Sequence, residues 1–224
     1  MSEPAEKLAP EPVEGPLEAE GDLKPEKPTE EELRRRDAAL AEVVVFGDPV
    51  LRSRASEVRE FGPGIEEDAK RMIEIMRDAM GVGLAATQLG ALRRLLVFQA
   101  GPDASPTALA NPQIEWRSGE LATAAEGCLS LPRVILDVER SLHVRVSGAG
   151  TRGEPILIEA SGLEARVLQH EIDHLDGVLI LDRTERDQRK GAMRALREGT
   201  SFTPFDPDDD EHESDDGGTP PEAG

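Results

Sequence analysis

Hydrophobic side chains able to build a core are confined to the middle of this 224-residue chain. Residues 1–37 alternate Glu, Pro, Gly and Lys without a repeating apolar face, and too few apolar groups are present to offset the entropy of ordering them. Residues 199–224 hold nine acidic side chains and no basic one, a like-charged run expected to stay solvated. The two ends carry most of the net charge of −20, and the middle retains only about −5. The chain therefore reads as a disordered acidic extension over 1–40, one folded domain over 41–198 and a disordered acidic tail over 199–224. Within the extension, TEEELRRRDAALAE (29–42) is expected to be transiently helical, with Thr29 as its cap.

This charge balance excludes several classes of partner. Nucleic acid and anionic membrane surfaces both require a basic footprint, which is missing. No apolar run approaches the roughly 18 residues needed to span a bilayer. A basic region followed by a hydrophobic stretch is absent at the start, and the segment is too acidic for an organellar transit peptide. The single cysteine, Cys128, cannot form an intrachain disulfide. These features predict a cytoplasmic protein.

Within the middle, VVVFGDPVLR is an apolar run broken at Asp48-Pro49, a short strand or extended segment entering a turn. Ile65, Ala69, Met72, Ile73, Met76 and Met80 recur at spacings of three and four, which predicts an amphipathic helix ended by Gly81. Short β-like runs follow at 94–99, 108–116, 142–148 and 155–160, the last two joined by the Gly-rich hairpin loop SGAGTRGE. A second helix starts at Ser161, with Glu164 three residues on, and runs to Leu175. A polar helix at about 184–197 closes the domain. The expected fold class is α+β, a single compact domain of short strands around one central helix.

The central helix carries the most informative string, Gln169-His170-Glu171-Ile172-Asp173-His174-Leu175. His170 and His174 lie one turn apart on one face, so both imidazoles can reach a single ion. Glu171 sits beside that ion, placed to take a proton from a bound water. A catalytic site needs a third protein ligand and one open position. Cys128, in EGCLSLP, is the natural candidate, and a thiolate suits a site with two imidazoles. His143, in an alternating strand, reads as a surface residue, and His212 lies in the acidic tail. GVGLAATQLG (81–90) lacks the spacing of a phosphate loop. Its small residues would let backbone approach a ligand closely, and Gln88 offers an amide donor.

Three segments together resemble the peptide deformylases: GVGLAATQ (81–88), EGCLS (126–130) and QHEIDHL (169–175). FGDPVLR (46–52) is similar to that family's opening, and the resemblance covers about 43–197. It implies a catalytic domain that removes the formyl group from the N-formylmethionine of nascent polypeptides, releasing formate. Carried over by position, Cys128, His170 and His174 would bind the metal, and Glu171 would be the general acid/base. Gln88 and the backbone N–H of Leu129 would be the oxyanion donors. Gly83 would lie against the substrate backbone, with Val82, Leu163 and Val167 near the methionine pocket. The resemblance also implies ferrous iron, with nickel or cobalt as working substitutes and zinc sluggish. Glu126, paired with Arg140, is expected to brace the Cys128 strand, and Asp173 is a second candidate partner for a ligand imidazole.

Two rival readings stay open on the sequence alone. A zinc endopeptidase built on H-E-x-x-H would take its third ligand downstream, where only Asp176 and Asp182 are available. A catalytically silent ribosome- or chaperone-binding relative would keep the fold without the chemistry. Arg186, Arg189, Lys190, Arg194 and Arg197 leave room for a weak ribosome contact, which the Asp-rich tail would compete against.

Overall fold

The computed structural model describes residues 28–101 and 104–204. The acidic stretches expected to remain unfolded before residue 28 and beyond 204, with His212, lie outside the described residues. Among the described residues, four α-helices and seven strands follow in chain order: α1 (Glu30–Glu42), α2 (Pro63–Asp78), β1 (Gly83–Ala85), β2 (Leu95–Phe98), β3 (Thr107–Arg117), β4 (Leu121–Cys128), β5 (Leu131–Ser141), β6 (His143–Ala149), β7 (Pro155–Ser161), α3 (Gly162–Leu175) and α4 (Arg186–Glu198). The strands form an antiparallel five-stranded sheet in the order β1-β2-β3-β6-β7 and a separate two-stranded ribbon, β4-β5. This is the expected α+β architecture, with the metal-motif helix α3 at its centre.

Helix α3 lies against the larger sheet, and its buried side includes Ala165, Leu168, Ile172 and Leu175, sharing a core with Leu96, Phe98, Leu109 and Val146. Glu171, Asp173 and His174 are buried as well, so the helix carries charge into the interior. Such groups persist there only when paired or when they bind something. The helix ends in a Schellman motif. The Gly177 N–H donates to the His174 carbonyl and the Val178 N–H to the Asp173 carbonyl, with Gly177 at φ +75°. A Cβ at Gly177 would also stand 2.7 Å from the Arg52 carbonyl oxygen. Gly177→Ala is therefore expected to cost about 1–3 kcal/mol in urea unfolding; an unchanged midpoint would show that the turn relaxes freely.

Three local readings differ from expectation. Segment 29–42 is a packed helix, not a transient one: Thr29 and Glu32 close a capping box, and Ala39 and Val43 are buried in one cluster with Met72, Ile75 and Met76 of α2. Helix α2 stops at Asp78, with Met80, not Gly81, taking the left-handed position at φ +59°. The Gly81 N–H then closes the cap on the Met76 carbonyl. Ser161 precedes α3 but caps nothing, because its hydroxyl is engaged with His143 Nδ1 at 2.8 Å. As expected, the 43–45 segment enters a turn, here at Phe46–Gly47, which leads into a 3-10 turn, Pro49–Arg52, that Asp48 caps through the Val50 N–H. At the other end, Phe202 docks back, bridging to Val134 and covering Gly191 of α4.

Candidate metal centre and active site

Three chain segments far apart in sequence meet at one point. Cys128 is the last residue of β4, where a tight turn at Leu129–Ser130 leads into β5. His170 and His174 face it from α3. Their candidate donor atoms, one per residue, all lie within 4.8 Å of one another, and Cys128 Sγ is 3.2 Å from His174 Nε2. His170 directs Nδ1 to Glu126 Oε2 at 2.9 Å, which leaves Nε2 free to turn toward the sulfur. One sulfur and two imidazole nitrogens in mutual reach suit a borderline-soft divalent cation.

The electrostatics ask for positive charge at that point. Burial disfavours an imidazolium at His170, yet hydrogen bonds to Cys128 and Glu126 override it and raise the group to about 10. Burial and the adjacent His170 push His174 the opposite way, well below its ordinary value. The donor set fits a divalent metal ion.

Glu171 is buried beside the donors but is not one of them, and its Oε2 has no hydrogen-bond partner among the described residues. Burial raises its carboxyl to about 7, against the pull of His170 and Arg140. An acid poised near neutrality can both take and return a proton. Strand β1 passes so close that a Cβ on Gly83 would meet Glu171 Oε1 at 2.3 Å. Gly83→Ala should therefore displace the carboxylate and lower turnover by at least about tenfold, a misplacement cost. Retention of full activity would show that Glu171 need not occupy this position.

The amide of Gln88 is oriented by its surroundings. Its Oε1 accepts the Ala85 N–H at 2.9 Å, so Nε2 is the end that points at Cys128 Sγ (3.8 Å) and Ser130 Oγ (3.3 Å). A cleft of about 510 Å³ opens over these groups. It brings together Val82, Gly83, Gln88, Cys128, Leu129, Leu163, Val167, His170 and Glu171, while His174 lies beneath them. Val82 and Leu163 are exposed at the rim and Val167 is buried at the base.

Glu126 does pair with Arg140, through Nε at 2.6 Å and a second guanidinium nitrogen at 2.9 Å. Asp173, by contrast, touches neither imidazole. It accepts from Arg140 at 2.8 Å and from Arg183 at 2.6 Å, because it points away from the donors into the β5 side of the helix. Burial works against a charged Glu126, but His170 and Arg140 more than compensate and hold its carboxyl at about 2. The result is a buried chain from His170 through Glu126 and Arg140 to Asp173, closed at the surface by the half-exposed Arg183.

Arg166 was not anticipated. It joins Glu126 at 2.7 Å and also donates to the Ala122 and Val138 carbonyls, tying α3 to both strands of the ribbon. Its position one turn before His170 on the same helix face was the available signal. The downstream carboxylates that an endopeptidase would need are engaged elsewhere. Asp176 pairs with Arg94 at 2.6 Å, and Asp182 pairs with Arg52 and accepts the Leu179 N–H.

Comparison with known proteins agrees with this geometry. The family model "Polypeptide deformylase" matches residues 40–190. The peptide deformylase of Acidothermus cellulolyticus is 44% identical over 160 residues, 71% of this chain and 87% of that protein. Peptide deformylase 1 of Corynebacterium glutamicum is 44% identical over 166 residues, 73% of this chain and 98% of its own length. The crystal structure of a peptide deformylase from Synechococcus elongatus in complex with actinonin superposes with a TM-score of 0.66 at 40% identity, covering 71% of this chain and 88% of that one. The chain belongs to the polypeptide deformylase family.

Proposed function

We propose that this chain is a metal-dependent peptide deformylase, removing the N-formyl group from the formylmethionine of newly synthesised polypeptides and releasing formate. The observation that carries this reading is the meeting of Cys128 with the His170/His174 pair beside a buried, unpartnered carboxylate, Glu171. Nascent chains are the substrate, and the reaction belongs to the cytoplasm where they emerge. Among the described residues, no helix is long and apolar enough to cross a membrane.

A formamide carbonyl is a poor electrophile and neutral water a poor nucleophile. A divalent ion bound by Cys128, His170 and His174 would supply Lewis acidity and lower the pKa of water toward about 7. Glu171 accepts the proton of the attacking water and returns it to the departing amine, which must leave protonated. Gln88 Nε2 and the Leu129 N–H donate to the formyl oxygen as it gains charge, each contributing on the order of 3 kcal/mol. Gly83 lies on β1, an edge strand of the sheet, and offers backbone to the substrate backbone. Val82, Leu163 and Val167 border the pocket for the methionine side chain.

Ferrous iron is the ion we propose, on the family resemblance, with nickel or cobalt as substitutes. Apo-protein reloaded anaerobically with iron(II) should turn over faster than the zinc form, and equal rates would remove the iron preference. Formate release from formyl-Met-Ala-Ser, run beside casein digestion, tests the activity. Formate without casein cleavage is expected; casein cleavage without formate would favour an endopeptidase. A weak ribosome contact through α4 is also part of this reading, and the Arg189–Asp182 and Arg194–Glu198 pairs already occupy part of that basic face.

A further inference from the structure

The active-site cleft has a wall that the family match does not include. Helix α1 precedes residue 40, where that match begins, apart from its last turn. Its burial of Ala39 against α2 fixes its orientation, and Arg36, three residues earlier, projects from the same side. Arg36 lines the cleft together with Met80, Gly83, Glu171 and, on the β5 wall, Arg133.

The charges around this cleft are unequally committed. Glu126 is neutralised by Arg140, Arg166 and His170, and Arg166 is fully engaged with Glu126 and two carbonyls. Arg36 makes no hydrogen bond or ion pair among the described residues, and Arg133 donates only to the Gly199 carbonyl. Two guanidinium groups with no carboxylate partner among the described residues thus line a cleft in a chain whose net charge is −20. That overall charge would by itself repel acidic peptides, so any preference for them must come from these local cations.

We propose that Arg36, assisted by Arg133, is a specificity determinant that favours formylated peptides carrying a carboxylate side chain shortly after the formylmethionine. This rests on the deformylase reading. Guanidinium suits the role because its planar fork matches a carboxylate with two parallel hydrogen bonds. Both groups are solvent-exposed, so the effect is modest and falls with salt as the screening length shrinks from about 10 Å at 0.1 M to about 3 Å at 1 M.

The test compares kcat/KM of the full-length holoenzyme on C-terminally amidated formyl-Met-Ala-Ala, formyl-Met-Ala-Glu, formyl-Met-Glu-Ala and formyl-Met-Ala-Lys at low and high salt. Turnover of the uncharged peptide by the wild type tests the deformylase reading on its own. At low salt the wild type should favour one acidic peptide over the neutral one by about two- to fivefold, the size expected of an exposed ion pair, mainly through KM. Within each variant the acidic-to-neutral ratio is the readout, so any general loss of activity divides out. The ratio should fall to about one in Arg36→Ala, recover only in part in Arg36→Lys, which keeps the charge but loses the planar fork, and invert toward the lysine peptide in Arg36→Glu. A wild type that turns over all the peptides without discrimination overturns the proposal, as does discrimination that survives Arg36→Glu.

Discussion

Replacing Glu171 with alanine is expected to lower formate release by about 10²- to 10⁴-fold, the usual contribution of a positioned general acid/base, while bound metal stays at the wild-type level. The two readouts separate because Glu171 lies beside the Cys128, His170 and His174 donors without being one of them. A third readout guards against misfolding. Glu171 Oε2 is buried without a hydrogen-bond partner, so the native carboxylate is held at a cost in stability. The variant should therefore unfold at the same urea concentration as the wild type or higher. Undiminished formate release would remove Glu171 from the chemistry. Lost activity with lost metal would reassign it to building the site.

Arg140→Ala is expected to have the largest effect on stability, about 3–5 kcal/mol, because it strips a buried partner from two carboxylates at once. Arg140 contacts Glu126 through two nitrogens and Asp173 through the third. Arg166 and Arg183 remain as partial substitutes, which points to the lower end of that range. The loss should also reach the metal. Glu126 accepts from His170 Nδ1, and loosening such a partner typically costs 10- to 100-fold in metal affinity. Glu126→Gln should lower metal affinity less than Arg140→Ala does, since the amide oxygen can still accept from His170 although it no longer carries the charge. Full stability and full metal content in Arg140→Ala would show that the buried ion chain braces nothing.

The site was more legible in the sequence than the framework around it. His170, Glu171 and His174 announce themselves because helical spacing alone puts both imidazoles on one face. Cys128 could be offered only on donor chemistry, as the single thiol of the chain, since nothing local to EGCLSLP links it to a helix forty residues on. Of the β4-β5 ribbon only a strand at Cys128 is legible, without its bounds or partner, because Leu121–Cys128 is mostly exposed and shows no apolar alternation. Its partner did carry a signal: Val134, Leu136 and Val138 alternate inward, and Arg140 continues that face as a charge at a core-facing position. Asp173 looked like an imidazole partner by proximity in sequence, but its helical position points it at Arg140 and Arg183. Helix α1 was underrated because its apolar content is low. Ala39 and Val43 suffice to dock it, since α2 already presents a formed apolar face.

The central claim is that one metal ion, held by a thiolate and two imidazoles, makes this fold a hydrolase. The most direct test measures metal-to-protein ratio and formate release on the same anaerobic preparations of wild type and Cys128→Ala. The wild type should hold about one ion per chain and release formate from formyl-Met-Ala-Ser, with both lost together in the variant. A Cys128→Ala protein that keeps stoichiometric metal and full formate release would contradict the account.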